Sequence, residues 1–271
     1  MRRPGSRLTH MLLILGAIGM VAPFVWQFLT SLKTLPHATH VPPTLVPDGR
    51  WSNYAQIFDL LPFGEQFLNT LVMTAARSLG QVIFCAMAAY AFARLRFPGR
   101  TFLFGLFLSV LMVPPQLFII PQYEIISKLG WLNSLPALIV PGLFSAFGTF
   151  LLRQFFLGLP VELDEAARLD GANPLRIWWS VMMPLARPGL VALGILTTIW
   201  SWNDFFWPLV VNNDPEKMTL SAGLASLQGQ FMTDYPVLMA GSLLASLPVI
   251  AVFVVMQRQF VQGIAFTGTK G

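Results

Sequence analysis

Long apolar stretches alternate with short polar segments along this chain, and six of the apolar stretches are long enough to cross a membrane. A membrane-spanning helix needs about 20 predominantly apolar residues. Inside lipid such a stretch must be helical, because no water is present to pair with the backbone. The six predicted spans are 11–32, 68–95, 102–121, 135–157, 189–211 and 237–258. The pattern predicts an all-α integral membrane protein with six transmembrane helices, in which residues 1–271 form one transmembrane domain.

The composition agrees with this fold class and excludes several functions. Hydrophobic residues make up 55% of the chain and charged residues only 11%, whereas about a quarter of the residues of a soluble domain are charged. Six spans leave no room for a fused ATPase or receptor domain. The net charge is +5, but the basic residues are scattered singly, which indicates membrane topology and no nucleic-acid partner.

The distribution of Lys and Arg predicts the orientation of the spans. If the N-terminus lies inside, twelve of the 17 basic residues fall on the inner side, and only four fall on the outer side: Lys33, Arg50, Lys128 and Lys217. This asymmetry satisfies the positive-inside rule, so we expect both termini to be cytoplasmic. The first apolar stretch is too long for a signal peptide and shows no small-residue cleavage site, so we expect an uncleaved anchor.

The longest inner segment, 158–188, is also the most charged part of the chain. Helix-forming residues end at Gly171, which tolerates the positive φ of a helix terminus. Asn173 and Pro174 can start a second helix, and Pro184 is expected to close it. The segment therefore predicts helix, turn, helix. Without further information, an amphipathic helix pair that merely joins two spans is one interpretation.

The amino-acid sequence of this segment favours a second interpretation, because it resembles the signature loop of the permease subunits of binding-protein-dependent ABC importers. Glu-Ala-Ala at 165–167 is followed by Gly171 and, nine residues later, by two aliphatic positions and Pro184. Val181 and Met183 replace the commoner Ile and Leu. Other segments are similar to the maltose-type carbohydrate-uptake branch of this family: 88–94, 112–114 with Pro121 and Tyr123, 147–156, 202–204 and 268–271.

The resemblance implies a half-channel in a bacterial or archaeal cytoplasmic membrane, which imports sugars or related polyols. Its partners would be a second homologous permease, two cytoplasmic ATPases, an extracytoplasmic substrate-binding protein and membrane lipid. The chain itself would be no enzyme and would bind no cofactor, since ATP and Mg²⁺ would be used by the ATPases. The implied ATPase-coupling residues are Glu165, Ala166, Ala167, Asp170, Gly171 and Pro184.

The C-terminal tail, 259–271, has two interpretations. It nearly imitates a phosphate-binding loop, but Lys does not directly follow the second Gly, so that function is excluded. The resemblance implies that Gly268, Lys270 and Gly271 contact the ATPases. The alternative is a solvated chain end.

Arg77 and Asp204 are the two charges that lie well inside predicted spans. At 1.5 Å per residue both lie about 10 to 14 Å from the outer ends of their spans. Unpaired charges are costly there, so we predict that the two groups lie within about 4 Å of each other. They either fix two helices only, or line a translocation path with sugar-stacking and hydroxyl-binding neighbours: Trp200, Trp202, Asn203 and Trp207.

Other candidate chemistry is sparse. His37 and His40 have no acidic or Cys partner at metal-binding spacing, so we expect solvated histidines and no metal site. A secondary transporter or channel is the alternative function, with Asp204 as its one candidate coupling carboxylate, although the chain shows no two related halves. An intramembrane enzyme would lack a nucleophile and base pair. No basic cluster lines the spans, which disfavours a phosphorylated cargo.

Overall fold

The computed structural model describes residues 5–229 and 233–268, and the side chains of the part between residues 9 and 257. Within these residues every regular element is helical, in agreement with the predicted all-α class. The α-helices are α1 (Gly5–Ser31), α2 (Leu35–Ala38), α3 (Ser52–Leu60), α4 (Phe63–Arg94), α5 (Arg100–Ser109), α6 (Ile119–Lys128), α7 (Leu135–Ile139), α8 (Ala146–Gly158), α9 (Glu162–Leu169), α10 (Pro174–Ile177), α11 (Met183–Leu185), α12 (Arg187–Trp202), α13 (Phe206–Val211), α14 (Leu220–Ser226) and α15 (Tyr235–Gly268).

Three single helices are long and apolar enough to cross a membrane: Thr9–Ser31, Phe63–Arg94 and Tyr235–Gln257. Three further candidates are pairs of helices that meet the same criterion only together, and each pair is bent by more than 40°. The described residues therefore hold three to six spans, and the six predicted apolar stretches all contribute to them. What the apolar pattern did not predict is that half of the candidates are broken.

The predicted third span, 102–121, is not one straight helix. Its two parts, Arg100–Met112 and Pro115–Lys128, are bent by 98° at Val113 and Pro114. Proline lacks an N–H donor and pushes the residue before it away from helical geometry. Val113 is accordingly extended, with φ −98° and ψ 126°. Two consecutive prolines thus override the apolar periodicity of this stretch.

The next two predicted spans are also interrupted. Leu135–Gly142 and Ala146–Gly158 are bent by 41°, and Ser145 restarts the helix by accepting a hydrogen bond from the amide of Gly148 at 3.2 Å. The predicted span 189–211 ends as a helix at Trp202, because the next residues turn out of it before α13 begins. The last helix is longer than the predicted span, since α15 continues past residue 258 into the predicted tail as far as Gly268.

The chain divides into two compact units. The first comprises Met1–Gly64 and Gly223–Leu247. In this unit Asn53 donates from Nδ2 to the carbonyls of Ser31 and Lys33, at 2.8 and 2.9 Å, and thereby fastens α3 to the end of α1. The side chain of Lys33 is buried and donates to the carbonyl of Thr44, and its ammonium lies 4.9 Å from the ring centroid of Trp26.

The same unit corrects the prediction for one histidine. His37 is not simply solvated, because its Nδ1 lies 2.6 Å from a carboxylate oxygen of Asp48 and its Nε2 lies 2.6 Å from the hydroxyl of Thr44. Asp48 also accepts from the backbone amide of Thr34, and this bond is the main cause of its lowered pKa. His37 and Asp48 are eleven positions apart, farther than the three or four that bring side chains together on a helix, so the sequence pattern gave no signal for this pair.

The second unit comprises Glu65–Ala222 and Pro248–Gly271. Its larger apolar cluster joins α4, α8, the helix that follows Gly171 and α12, through residues such as Tyr90, Phe156, Trp178, Met182 and Leu193. A smaller cluster joins α4, α6, α7 and α13 around Met73 and Leu138. The predicted loop 158–188 is therefore packed onto spans of this unit along one side.

Candidate functional site

The first helix of the loop 158–188 ends as the sequence predicts. Gly171 has φ +78°, which only glycine adopts without strain. The amide of Ala172 donates to the carbonyl of Ala167, and the amide of Asp170 to that of Ala166, both at 3.0 Å. These backward bonds satisfy carbonyls that a helix end leaves without partners. The Glu-Ala-Ala segment and Gly171 thus form one rigid helix terminus.

The second helix of the loop starts and ends in a way that its prolines explain. Asn173 caps it, because its Oδ1 accepts from the amide of Arg176 at 2.8 Å, and Pro174 occupies the first turn. Residues 178–182 form a π-helical turn just before Pro184, whose ring has no N–H to give to the preceding turn. The helix runs on to Leu185, one residue beyond the predicted end, and α12 then departs at 80°.

This helix pair has one buried and one exposed side. Ile177, Trp178 and Met182 are buried against the spans. On the other side Leu175, Trp179 and Leu169 are apolar and exposed, and Leu169 is 89% exposed. Among the described residues nothing covers these side chains, so the pair presents an apolar surface next to the carboxylate of Glu165, which is also exposed.

Adjacent residues of α9 face opposite ways. Glu165 is exposed, whereas Asp164 is only 4% exposed and its Oδ2 lies 3.4 Å from Nη1 of Arg94 on α4. Nη2 of the same arginine donates to the carbonyls of Phe156 and Leu159 at 2.5 Å. Burial raises the pKa of Asp164, against the opposing charges of Arg94 and Arg168. Neither Arg94 nor Asp164 was predicted as a site residue, although a carboxylate beside a signature Glu is a signal in the sequence.

The predicted pairing of Arg77 with Asp204 is confirmed. Nη1 of Arg77 donates to Oδ2 of Asp204 at 2.6 Å, and Nε donates to the carbonyl of Leu138 at 2.7 Å. Leu138 precedes the break in the fourth span, so the arginine occupies the place where helical bonding ceases. Gly142 packs directly on its side chain, because a Cβ at that position would overlap the arginine. Gln81, one turn along α4, donates to the Gly142 carbonyl at 2.9 Å.

The aromatic residues predicted to accompany this pair do not share one face. Trp202 is 6% exposed and packs edge-on against Phe67, whereas Trp200 is 52% exposed and contacts Phe147. Trp207 is buried, and its indole N–H donates to the carbonyl of Ala137 at 2.9 Å. Asn203 is exposed and donates to the carbonyl of Ile199. Two tryptophans two residues apart on a helix point about 200° apart, so they cannot form one stacking platform.

Two further predictions concern the C-terminal tail and metal binding. Gly268 is the last residue of α15, and Lys270 and Gly271 lie outside the described residues, so contact between the tail and an ATPase stays a prediction. Within the described part of the chain no three His, Cys, Asp or Glu side chains come together as a metal site would require.

Comparison with known proteins assigns this architecture to a family. The family described as "Binding-protein-dependent transport system inner membrane component" matches residues 81–265. The chain is 36% identical to the sn-glycerol-3-phosphate transport system permease protein UgpE of Pectobacterium atrosepticum, over 97% of both chains. It is also 36% identical to the UgpE protein of Brucella suis biovar 1, over 98% of both.

A solved structure agrees with these relatives. A chain of a bacterial ABC transporter involved in the import of the acidic polysaccharide alginate superimposes with a TM-score of 0.82, at 26% sequence identity, covering 95% of this chain and 97% of that one. The chain therefore belongs to the family of binding-protein-dependent transport system inner membrane components, and it is a permease subunit of an ABC importer.

Proposed function

We propose that this permease forms one half of a translocation path for a sugar or related polyol, with both termini in the cytoplasm and residues 1–271 acting as one transmembrane domain. Its partners are a second homologous permease, two ATPases that hydrolyse Mg-ATP, and an extracytoplasmic binding protein. The family membership supports the importer, and the relatives named for sn-glycerol-3-phosphate support a solute with a polyol skeleton. The chain contributes the path and the mechanical contact, and the ATPases contribute the energy.

The observation that carries this proposal is the two-sided helix pair of the segment 158–188. Its inner side is buried on the spans, and its outer side leaves Leu169, Leu175 and Trp179 exposed beside Glu165. An exposed apolar patch with a charged edge is typical of a protein–protein contact. A rigid pair held between a partner and the spans is what nucleotide-driven motion needs in order to bias an inward-open and outward-open equilibrium. We refer to residues 158–188 as the coupling loop.

Glu165 is the polar centre of this surface in the proposal. The described residues supply no ion pair to its carboxylate, so it is available to an arginine of the ATPase. A charge-assisted hydrogen bond contributes roughly 1.5 to 3 kcal/mol, so its loss should weaken docking about tenfold or more. Asp170 and Pro184 act differently, since they shape the ends of the two helices.

The direct experiment replaces Glu165 by Ala and compares it with Glu162→Ala, which removes an exposed carboxylate from the same helix, α9. The complex is reconstituted in proteoliposomes, and ATPase co-purification, ATP hydrolysis and solute uptake are measured. We expect Glu165→Ala to lose docking and uptake while Glu162→Ala retains both. Normal docking of the Glu165 variant would return the coupling loop to a plain connector between spans.

A second pair of variants tests the turn itself. Gly171 and Gly158 both have open space where a Cβ would stand, but only Gly171 has a positive φ. Changing each to Ala therefore adds the same methyl group at both positions but backbone strain at Gly171 alone. We expect Gly171→Ala to lower binding-protein-stimulated ATP hydrolysis and Gly158→Ala to leave it unchanged. Equal activities would mean that the angle between the two helices does not matter for coupling.

Arg77, Asn203 and Asp204, with the exposed Trp200, are the residues that we propose for the path. The relatives are named for sn-glycerol-3-phosphate, whereas the lack of a basic cluster along the spans disfavours a phosphorylated cargo. Arg77 is already neutralised by Asp204. Comparing the uptake of sn-glycerol 3-phosphate with that of glycerol and neutral sugars decides between a phosphorylated and an unphosphorylated cargo. Uptake of either kind requires the binding protein and ATP.

A further inference from the structure

A buried polar cluster joins the coupling loop to α4 and to the end of α8. Tyr90 and Arg94 lie one turn apart on α4, and Asp164 reaches them from α9. The guanidinium of Arg94 lies 3.4 Å from the Asp164 carboxylate and donates to the carbonyls of Phe156 and Leu159. These carbonyls belong to the end of α8, where the helix itself supplies no donors. One arginine thus ties together α4, α8 and α9.

The cluster is incompletely bonded in this conformation. Three of its buried atoms have no hydrogen-bond partner among the described residues: the Tyr90 hydroxyl, Nε of Arg94 and Oδ1 of Asp164. Such atoms are costly and rare in folded proteins. The Tyr90 hydroxyl nevertheless lies close enough to favour the charged form of Asp164. A shift of α9 toward Tyr90 would therefore gain a hydrogen bond that the present arrangement lacks.

The position of Asp164 connects this cluster to the partner side of the loop. Asp164 and Glu165 are neighbours on one helix of eight residues, with Asp164 directed at α4 and Glu165 exposed. Any displacement imposed on Glu165 is carried directly by the same rigid helix to Asp164. The ion pair then passes it to Arg94, at the end of a helix of 32 residues.

We propose that Arg94 and Asp164 are positioning residues that transmit movement of the coupling loop to α4, and that Tyr90 provides the alternative partner of Asp164 in the moved state. This inference rests on the proposed function of the coupling loop. It assigns the transmission to a specific ion pair inside the membrane subunit, beyond the surface on which the ATPase docks. Asp164 would thus have two bonding arrangements, one with Arg94 and one with Tyr90, and movement of the coupling loop would switch between them.

The experiment uses Asp164→Asn, Arg94→Gln and the double variant in the reconstituted complex, with Arg96→Gln as the matched control. Arg96 lies two positions after Arg94, is exposed, and has no ion pair among the described residues. We expect ATPase co-purification and basal hydrolysis to remain, while stimulation by the loaded binding protein falls about tenfold, within the usual range of coupling energies. Because the two residues act as one unit, the double variant should lose no more than either single variant.

Chemical modification of the lone cysteine gives a readout that would not change if the pair of Arg94 and Asp164 had only a structural role. Cys85 is buried on α4, five residues before Tyr90. Its rate of modification by a maleimide is measured with and without ATP. In the wild type the rate should change with ATP. In the variants at Arg94 and Asp164 we expect the rate without ATP to stay unchanged and the response to ATP to disappear.

The outcomes separate this inference from the proposed function. If Glu165→Ala loses docking while Asp164→Asn keeps full stimulation and the Cys85 response, the ion pair does not transmit and this inference is overturned alone. If Glu165→Ala docks normally, the coupling loop itself is misassigned. Should Arg94→Gln fail to accumulate in the membrane, Tyr90→Phe replaces it, since it removes only a hydroxyl without a bond. A Tyr90→Phe protein with normal stimulation would then contradict the proposed alternative partner.

Discussion

Two arginines on one helix hold the same broken span, one beside its break and one at its C-terminal end, and they do so differently. Arg77 and Arg94 lie 17 positions apart on α4, which is about 25 Å at 1.5 Å per residue. Arg77 reaches Asp204 at 2.6 Å and the carbonyl of Leu138 at 2.7 Å. Arg94 reaches two carbonyls at the end of α8, but its carboxylate partner lies at 3.4 Å.

The difference separates a fixed joint from one that can re-form. At the Arg77 end the contacts are short, the packing of Gly142 leaves no space, and Gln81 strengthens the same contact between α4 and the break. Near Arg94 three buried polar atoms lack hydrogen-bond partners among the described residues. A satisfied network specifies one arrangement, whereas an unsatisfied one has something to gain from another. The span is therefore anchored beside its break and able to adjust at its C-terminal end.

The largest expected effect comes from removing the arginine of the fixed joint. Arg77→Ala leaves the Asp204 carboxylate and the Leu138 carbonyl without their donor, and breaking a buried pair in this way costs about 3 kcal/mol or more. Asp164→Asn should cost less than Arg77→Ala, because Arg94 keeps its two carbonyl contacts and the amide of Asn stands in the place of the carboxylate. Denaturant titration in detergent measures both.

The control for this comparison removes both charges together. The double variant Arg77→Met with Asp204→Leu should recover most of the lost stability, because no unpaired charge remains. Equal losses for Arg77→Ala and Asp164→Asn would show that the two joints are alike.

A smaller effect is expected from crowding the fixed joint. In Gly142→Ala the new Cβ would come within 2.9 Å of Cγ of Arg77 and closer still to its Cδ and Nε. Overpacking of this kind typically costs 1 to 3 kcal/mol, so the melting temperature in detergent should fall. Gly105→Ala is the matched control, because nothing lies within 4 Å of a Cβ there. If the two variants have the same melting temperature, the side chain of Arg77 has more conformational freedom than its contacts indicate.

The smallest expected effect is a pH dependence at the adjustable joint. Burial raises the folded-state pKa of Asp164 above its ordinary value of 3.8. The folded protein therefore binds more protons than the unfolded chain, and it gains stability as the pH falls through that folded pKa. The melting temperature of the wild type should rise relative to that of Asp164→Asn between neutral pH and about pH 4. A difference that stays constant across this range would contradict the shifted pKa.

The sequence predicted those features that follow from local pattern. Apolar length located the spans, Gly171 and Pro174 located the turn and the second helix of the coupling loop, and matched depth paired Arg77 with Asp204. The divergence of Trp200 and Trp202 was also predictable, since residues two apart on a helix face nearly opposite directions.

Other features depend on contacts between distant segments. The pairs Arg94 with Asp164 and His37 with Asp48 join residues that no helical or strand spacing relates. A basic residue at the end of a span satisfies the rule for membrane orientation equally well whether it is solvated or buried. The break at Val113 illustrates a different limit, because hydropathy averages over a window and does not register the backbone restriction that two prolines impose.

The π-helical turn at 178–182 constrains the length of the chain more strongly than its spelling. Each residue rotates a helix by about 100°, so one residue added or removed turns everything that follows by the same angle. Ile177 and Ala186, on either side of this turn, are both buried on the spans. Deleting any one residue of the turn would keep a helix but rotate Ala186 away from the core and swing α12 around its own axis. Among homologous chains, single-residue insertions or deletions in this turn should therefore be rarer than substitutions.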